Sequence, residues 1–271
     1  AGEAILNDIS LQVGEGYFNH NIQSVRKLEF IENKGVGLNL TMQVIDAIMC
    51  HNGELELECY KPKKKTFQDI LDEYHKTYLE KDANTSLIPC TLEGCVVRIS
   101  DIISYLGRDI EDAMSYGILT HEQTKDLENI IQQTYPDVKV SEINTTVLMH
   151  KFIIDLCQNS SPETGFCFSD ECYNMMKTIK DFNYRNIYRH PRLEPFKAYS
   201  KLVLTTIFNK LDEYFEKGIE DSLKNEQNLY PLLIKNFEEW LVKYSNYNLE
   251  ARQELKLKNT CIYDISDNKS Y

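Results

Sequence analysis

The 271-residue chain has no Cys-x-x-Cys pair, no apolar run approaching twenty residues, no amino-terminal signal-peptide character and no excess of positive charge. Each absence excludes something. Its eight cysteines stand at 50, 59, 90, 95, 157, 167, 172 and 261. Without a C-x-x-C pair, this spacing argues against a zinc knuckle or a disulfide scaffold and for reduced thiols in a cytoplasmic protein. Cys90 with Cys95 and Cys167 with Cys172, each separated by four residues, are weak metal-site signals. Crossing a bilayer as a helix takes roughly 20 apolar residues, so no membrane span and no membrane partner are expected. Thirty Lys and Arg against 42 Asp and Glu give a formal charge of -12, which opposes nucleic-acid binding by general phosphate attraction. Any phosphate contact must be local. Strand-like alternation is confined to short pieces such as Glu54 to Cys59, and no repeat of 20 to 50 residues is visible.

What is present is helical periodicity from end to end, so the expected fold is all-α, in a chain long enough to bury a substantial core. His20 to Asn33 carries Ile22, Val25, Leu28 and Ile31 at helical spacing and stops at Lys34-Gly35-Val36-Gly37. Leu40 to Cys50 follows as a short helix. His51 to Thr66 reads as a loop; its four lysines between Lys61 and Lys65 are most simply exposed charge, with a basic loop near a phosphate as the alternative. Phe67 to Glu80 predicts an amphipathic helix, and a long central helix is expected from Thr91 to Tyr116, ended by Gly117. Thr120 with Gln123 has the form of a capping box, opening a helix that runs to Tyr135. Further helices are expected from near Ser141, then Glu171 to Tyr188, Pro195 to Glu216 and Leu232 to Tyr244, before a polar, irregular tail.

The central helix is the most informative segment. At about 100° per residue, Arg98, Asp101, Tyr105, Asp109 and Asp112 fall in a stripe less than a quarter-turn wide. Val96, Ile99, Ile103, Leu106, Ile110 and Ala113 fall opposite. Carboxylates at this spacing repel unless a cation sits among them, and a divalent metal is one candidate. The commoner fate of such a stripe is to face water. Two further clusters stand out. His20 opens a helix, where the positive dipole end disfavours imidazolium, so the ring could exchange a proton near neutrality. Asn183 to Leu193 concentrates Arg185, Arg189, His190 and Arg192 in an acidic chain, and guanidinium forks match phosphate oxygens. Arg189 is the preferred phosphate contact, against an inter-helix salt bridge; Tyr184 and Tyr188 could stack on a base, although such aromatics more often serve the core. His51 ends a helix, where a cation is favoured by the dipole.

The string V-R-I-x-D-x-I-x-Y-L-x-x-D-I-x-D-A at residues 97–113, the segment G-E-G-Y-F-N-H-N-I-Q-S-V-R at 14–26 and the opening Ala1-Gly2-Glu3 together resemble the HD-superfamily nucleotide phosphohydrolases, in the branch of the deoxyguanosine triphosphate triphosphohydrolase-like proteins. The resemblance is strong over residues 1–125 and moderate over 180–215. It implies that residues 1–125 are the remaining part of an HD phosphohydrolase domain and 126–271 a C-terminal helical region packed on it. It implies metal-dependent hydrolysis of a deoxynucleoside triphosphate to deoxynucleoside and inorganic triphosphate, in a homo-oligomer. His20 and Glu3 would be the catalytic dyad, Asp101 a metal ligand, and Tyr105 and Asp109 the contacts that select deoxyribose by leaving no room for a 2′-hydroxyl. The implied cofactor is Mg or Mn, with Fe, Ni, Co or Zn as alternatives.

The family's upstream His and His-Asp ligands are missing here, and its closing D-Y-I-S-G-M-T-D helix lies beyond Tyr271. A single carboxylate cannot hold a metal in defined geometry. The expectation is therefore a fragment of a longer protein, or a chain that has lost metal catalysis. The alternatives are an inactive nucleotide-binding regulatory subunit, or an HD phosphohydrolase acting on another phosphate ester.

Overall fold

The computed structural model describes residues 2–52, 55, 57–139, 145–257, 263 and 265. It is all-α apart from one two-residue antiparallel ladder, Cys59–Tyr60 with Phe166–Cys167. Contacts group the chain into two compact units, residues 42–199 and residues 1–41 with 200–271. The division expected between residues 125 and 126 falls within the helix His121–Gln132. No helix among the described residues is long and apolar enough to cross a membrane.

In the unit 42–199 the core forms around the central helix, Leu92–Ser115. Thr91 caps its start by accepting from the Gly94 amide at 3.0 Å, and Gly117, at φ +59°, ends it. Ile99, Ile102, Ile103, Leu106 and Ile110 are buried, each worth about 1.5–3 kcal/mol of apolar transfer. They pack against helices Met42–Cys50, Thr145–Asn159 and Asp170–Asn183. Gly107 permits a close approach of helix Thr145–Asn159, since a Cβ there would stand 3.1 Å from Thr145 Cα. Helix Phe67–Leu79 begins with a Thr66–Asp69 capping box, and His121–Gln132 with the expected Thr120–Gln123 box. The helix start expected near Ser141 lies outside the described residues, as do Glu54 and Glu56 of the expected alternating piece.

Four expectations are corrected here. Arg98 does not share the polar stripe: it is buried, its Nη1 donates to the Leu87 carbonyl, and its guanidinium lies 5.8 Å from the Tyr60 ring centroid. Val96, placed on the apolar side, is 43% exposed. The central helix is packed by helix Met42–Cys50, and Arg98 is covered by the Leu87 carbonyl and the Tyr60 ring, which turns the buried face toward Arg98. Lys65 is not surface charge either. Its side chain is 1% exposed and donates to Asp46 at 2.7 Å and Glu73 at 2.5 Å. Finally, Cys59 and Cys167 are not reduced thiols: the ladder sets them opposite one another and they form a disulfide.

The unit of residues 1–41 and 200–271 begins with helix Gly2–Gln12, which sequence periodicity did not reveal. His20–Arg26 follows and widens into a π-turn at Lys27–Ile31. The stop expected at Lys34 to Gly37 is made by left-handed Asn33 and Lys34 and by Gly37, where any Cβ would overlap the Glu29 carbonyl. Helices Ile219–Glu226 and Pro231–Tyr244, with the end of Glu194–Lys217, close on Tyr214, Leu223, Ile234 and Leu241, and a third, Leu249–Glu254, packs on Pro231–Tyr244. The short first and last of these three were not expected. Ile219–Glu226 has few apolar residues, and Leu249–Glu254 rests on an Asn248 cap.

Candidate functional site

Glu3 and His20 are brought together within one unit. Helix Gly2–Gln12 presents Glu3, and Phe18 is tied back to it by its amide donating to Asn7 Oδ1 at 2.9 Å. The Ser10 hydroxyl donates to the Gly16 carbonyl at 2.8 Å, closing the same loop. His20 thereby opens its helix beside Glu3, whose Oε1 accepts both the His20 amide and the ring Nδ1, each at 2.8 Å. An ionised carboxylate only accepts, so Nδ1 carries the proton and Nε2 is the ring atom that can exchange one. Both side chains are 46% exposed, so a proton-transfer partner can reach them. Ser24 bonds back to the His20 carbonyl at 2.8 Å and Asn21 is buried.

In the other unit, the central helix presents Asp101, Tyr105, Asp109 and Asp112 in different environments. Asp101 is exposed. Tyr105 is half-buried against the core. Asp109, also half-buried, accepts a short hydrogen bond from the Tyr188 hydroxyl. Burial raises the Asp109 pKa above the ordinary carboxylate range, the Tyr188 bond pulls it down, and neighbouring Asp112 pushes it up. Asp112 is held by Arg108 at 3.1 Å on an exposed face, the solvated outcome.

Tyr188 closes the π-turn Tyr184–Tyr188 that extends helix Asp170–Asn183. Its main-chain carbonyl accepts from Lys197 at 3.3 Å. Sequence reasoning offered Tyr188 as a base-stacking ring or, more commonly, a core aromatic; it packs against the core, and its bond to Asp109 was missed because no local signal links residues 79 apart. Arg189 makes no salt bridge among the described residues. Its guanidinium lies 4.5 Å from the Tyr184 ring centroid and Nη2 donates to the Tyr184 hydroxyl at 3.0 Å, on an exposed surface. Arg192 instead caps the central helix, donating to the Tyr116 and Gly117 carbonyls at 3.2 and 3.0 Å. Arg185 bonds back to the Asp181 carbonyl at 3.2 Å. His51 Nδ1 donates to the Ile48 carbonyl at 2.6 Å, the structural role its place at a helix end suggests.

No group of three or more His, Cys, Asp and Glu among the described residues is arranged to hold a metal ion. Asp101 therefore offers one carboxylate, and the described residues do not fit a divalent site by themselves.

No protein-family model matches the chain. Curated proteins do. A deoxyguanosinetriphosphate triphosphohydrolase-like protein of Clostridium tetani is 30% identical over 256 residues, 87% of this chain and 62% of its own length. One of Desulfatibacillum aliphaticivorans is 29% identical over 214 residues, 76% of this chain and 52% of its own. One of Neorickettsia sennetsu is 26% identical over 274 residues, 87% of this chain and 67% of its own. The first two are matched over only 52% and 62% of their length, so this chain spans little more than half of what they contain.

Proposed function

We propose, from the chain's similarity to deoxyguanosinetriphosphate triphosphohydrolase-like proteins, that it serves the hydrolysis of a deoxynucleoside triphosphate, dGTP foremost, to deoxynucleoside and inorganic triphosphate. The observation that carries this reading, beside the relatives, is the Glu3–His20 pair. Water attacking the α-phosphorus breaks the bond to the 5′-oxygen, which departs as a poor leaving group unless it is protonated. Glu3 holds the Nδ1 proton of His20, so Nε2 takes up a proton from solvent and the resulting imidazolium delivers it from Nε2 to the departing 5′-oxygen; general acid catalysis of this kind contributes roughly 10²–10⁴-fold.

Tyr105 and Asp109 take the sugar in this reading. The ring fills the space a 2′-hydroxyl would need, and a carboxylate oxygen accepts from the 3′-hydroxyl. Tyr188 then acts on the sugar contact through Asp109, orienting its carboxylate. Arg189, stacked on Tyr184 and exposed, supplies a phosphate contact. Asp101 would contribute one carboxylate to a divalent ion, Mg or Mn, whose other ligands are not among the described residues. Assembly as a homo-oligomer belongs to the same proposal.

The test compares dGTP, the other dNTPs and GTP with Mg or Mn. Turnover of dGTP with GTP disfavoured at least about ten-fold is expected from a site that excludes one hydroxyl. Equal turnover of GTP contradicts the role given to Tyr105. A second reading, nucleotide binding without chemistry, is favoured by the lack of a metal-holding group among the described residues. Saturable dGTP binding with no product under any metal identifies it.

A further inference from the structure

Arg98 carries a buried charge that the fold answers on one edge only. It is 3% exposed, and among the described residues it makes one hydrogen bond, from Nη1 to the Leu87 carbonyl, and no salt bridge. Its Nε is buried with no partner. With Nη1 taken, Nε and Nη2 remain, the edge of a guanidinium whose two parallel N–H bonds match a pair of oxyanion oxygens. The Tyr60 ring centroid, 5.8 Å away, offers a face and no counter-charge.

Neighbouring groups do not supply that counter-charge. Cys95 feels both Arg98 and Asp46, but burial pushes its thiol up to about 11, so it stays neutral. Asp46 is already taken by Lys65 and by the Cys90 amide. A buried guanidinium without an anion costs free energy. What lies alongside is more positive charge. The lysine loop packs here, its Lys63 amide donating at 2.9 Å to the carbonyl of Pro89, two residues after Leu87. Lys61 is committed to the Glu163 carbonyl and Lys65 to its two carboxylates. Lys63 and Lys64 are exposed and make no hydrogen bond or ion pair among the described residues. The central helix also begins here, at its Thr91 cap, and adds the positive end of its dipole.

We propose that the free edge of Arg98, with Lys63 and Lys64, is a binding site for a phosphate-class oxyanion, which the hydrolysis proposed above does not use. Tyr60 and the loop after it shift to admit the anion, and the two lysines close on it. The probe is inorganic phosphate, radiolabelled and followed by equilibrium dialysis of the whole chain at constant ionic strength set with sodium chloride. Saturable binding of one phosphate per chain is expected. Lys63→Ala combined with Lys64→Ala, at exposed positions, should weaken it several-fold. Arg98→Met, which keeps an apolar stem and removes the fork, should weaken it at least about ten-fold. Unfolding midpoints without phosphate tell loss of the site from loss of the fold, and if Arg98→Met does not fold, the lysine variant decides. No saturable binding above chloride would overturn the proposal, as would full affinity in the lysine variant. So would loss of binding in Arg189→Ala with retention in Arg98→Met, which moves the anion to the other basic cluster.

Discussion

Lys65–Asp46 and His20–Glu3 are nitrogen–carboxylate hydrogen bonds of nearly equal length, 2.7 and 2.8 Å, in opposite surroundings. Both side chains of the first are 1% exposed, and both of the second 46%. Around Lys65 every donor is answered: Asp46, Glu73 and Cys50 Sγ at 3.6 Å receive the ammonium, and the second oxygen of Asp46 accepts the Cys90 amide at 2.6 Å. Burial works to lower the Lys65 pKa, and the bonds to Asp46 and Glu73 more than reverse it, so the ammonium stays charged. The same burial, with Asp46 alongside, pushes the Cys50 thiol up to about 12, which leaves it unreactive. Glu3 instead leaves its partner within reach of solvent. Nearly equal distances thus separate a closed structural cluster from a pair open to solvent.

Asp46→Ala should break that contrast most severely. It strands a buried ammonium on one remaining carboxylate, and a loss of about 3–5 kcal/mol in denaturant unfolding is expected. A loss below about 1 kcal/mol would mean the cluster is as loosely held as the exposed pair.

Tyr188→Phe probes a site between the two extremes. Removing the hydroxyl from half-buried Asp109 should cost about 1 kcal/mol of stability. On the proposed function it should also raise KM for dGTP more than it lowers kcat, because the sugar contact is loosened.

The smallest effect is one of pH. The folded Asp109 pKa is raised, so the folded state holds this proton more tightly than the unfolded chain. Its contribution favours folding at low pH and fades as pH rises from the ordinary Asp range through the raised value. Asp109→Asn should remove this slope from a stability–pH curve measured by chemical denaturation. An unchanged slope would place its origin in another group.

Local chemistry was legible in the sequence, and encounters between distant segments were not. The central helix was expected at Thr91 to Tyr116 and runs Leu92–Ser115, because its cap and its terminal glycine act within a few residues. Thr120 and Gln123 gave their capping box for the same reason. Arg98 was misplaced because periodicity cannot say that the Leu87 carbonyl and the Tyr60 ring will cover it. Cys59 and Cys167 lie 108 residues apart, and spacing between cysteines carries no trace of a ladder that sets them opposite. Lys65 looked like one of four loop lysines; only Asp46 and Glu73, on two different helices, make it a core residue. Among the site residues, the Glu3–His20 pairing was implied by resemblance and is met in the geometry, whereas Tyr188 came to Asp109 through the fold alone.

The most direct test is phosphorus NMR of dGTP incubated with the protein and Mn, for wild type and His20→Ala. Release of inorganic triphosphate by the wild type is expected, falling about 10²–10⁴-fold in the variant while its denaturation midpoint stays near the wild-type value. Release of pyrophosphate or orthophosphate in place of triphosphate, or undiminished triphosphate release by His20→Ala, would contradict the assignment of the Glu3–His20 pair as the proton-transfer group.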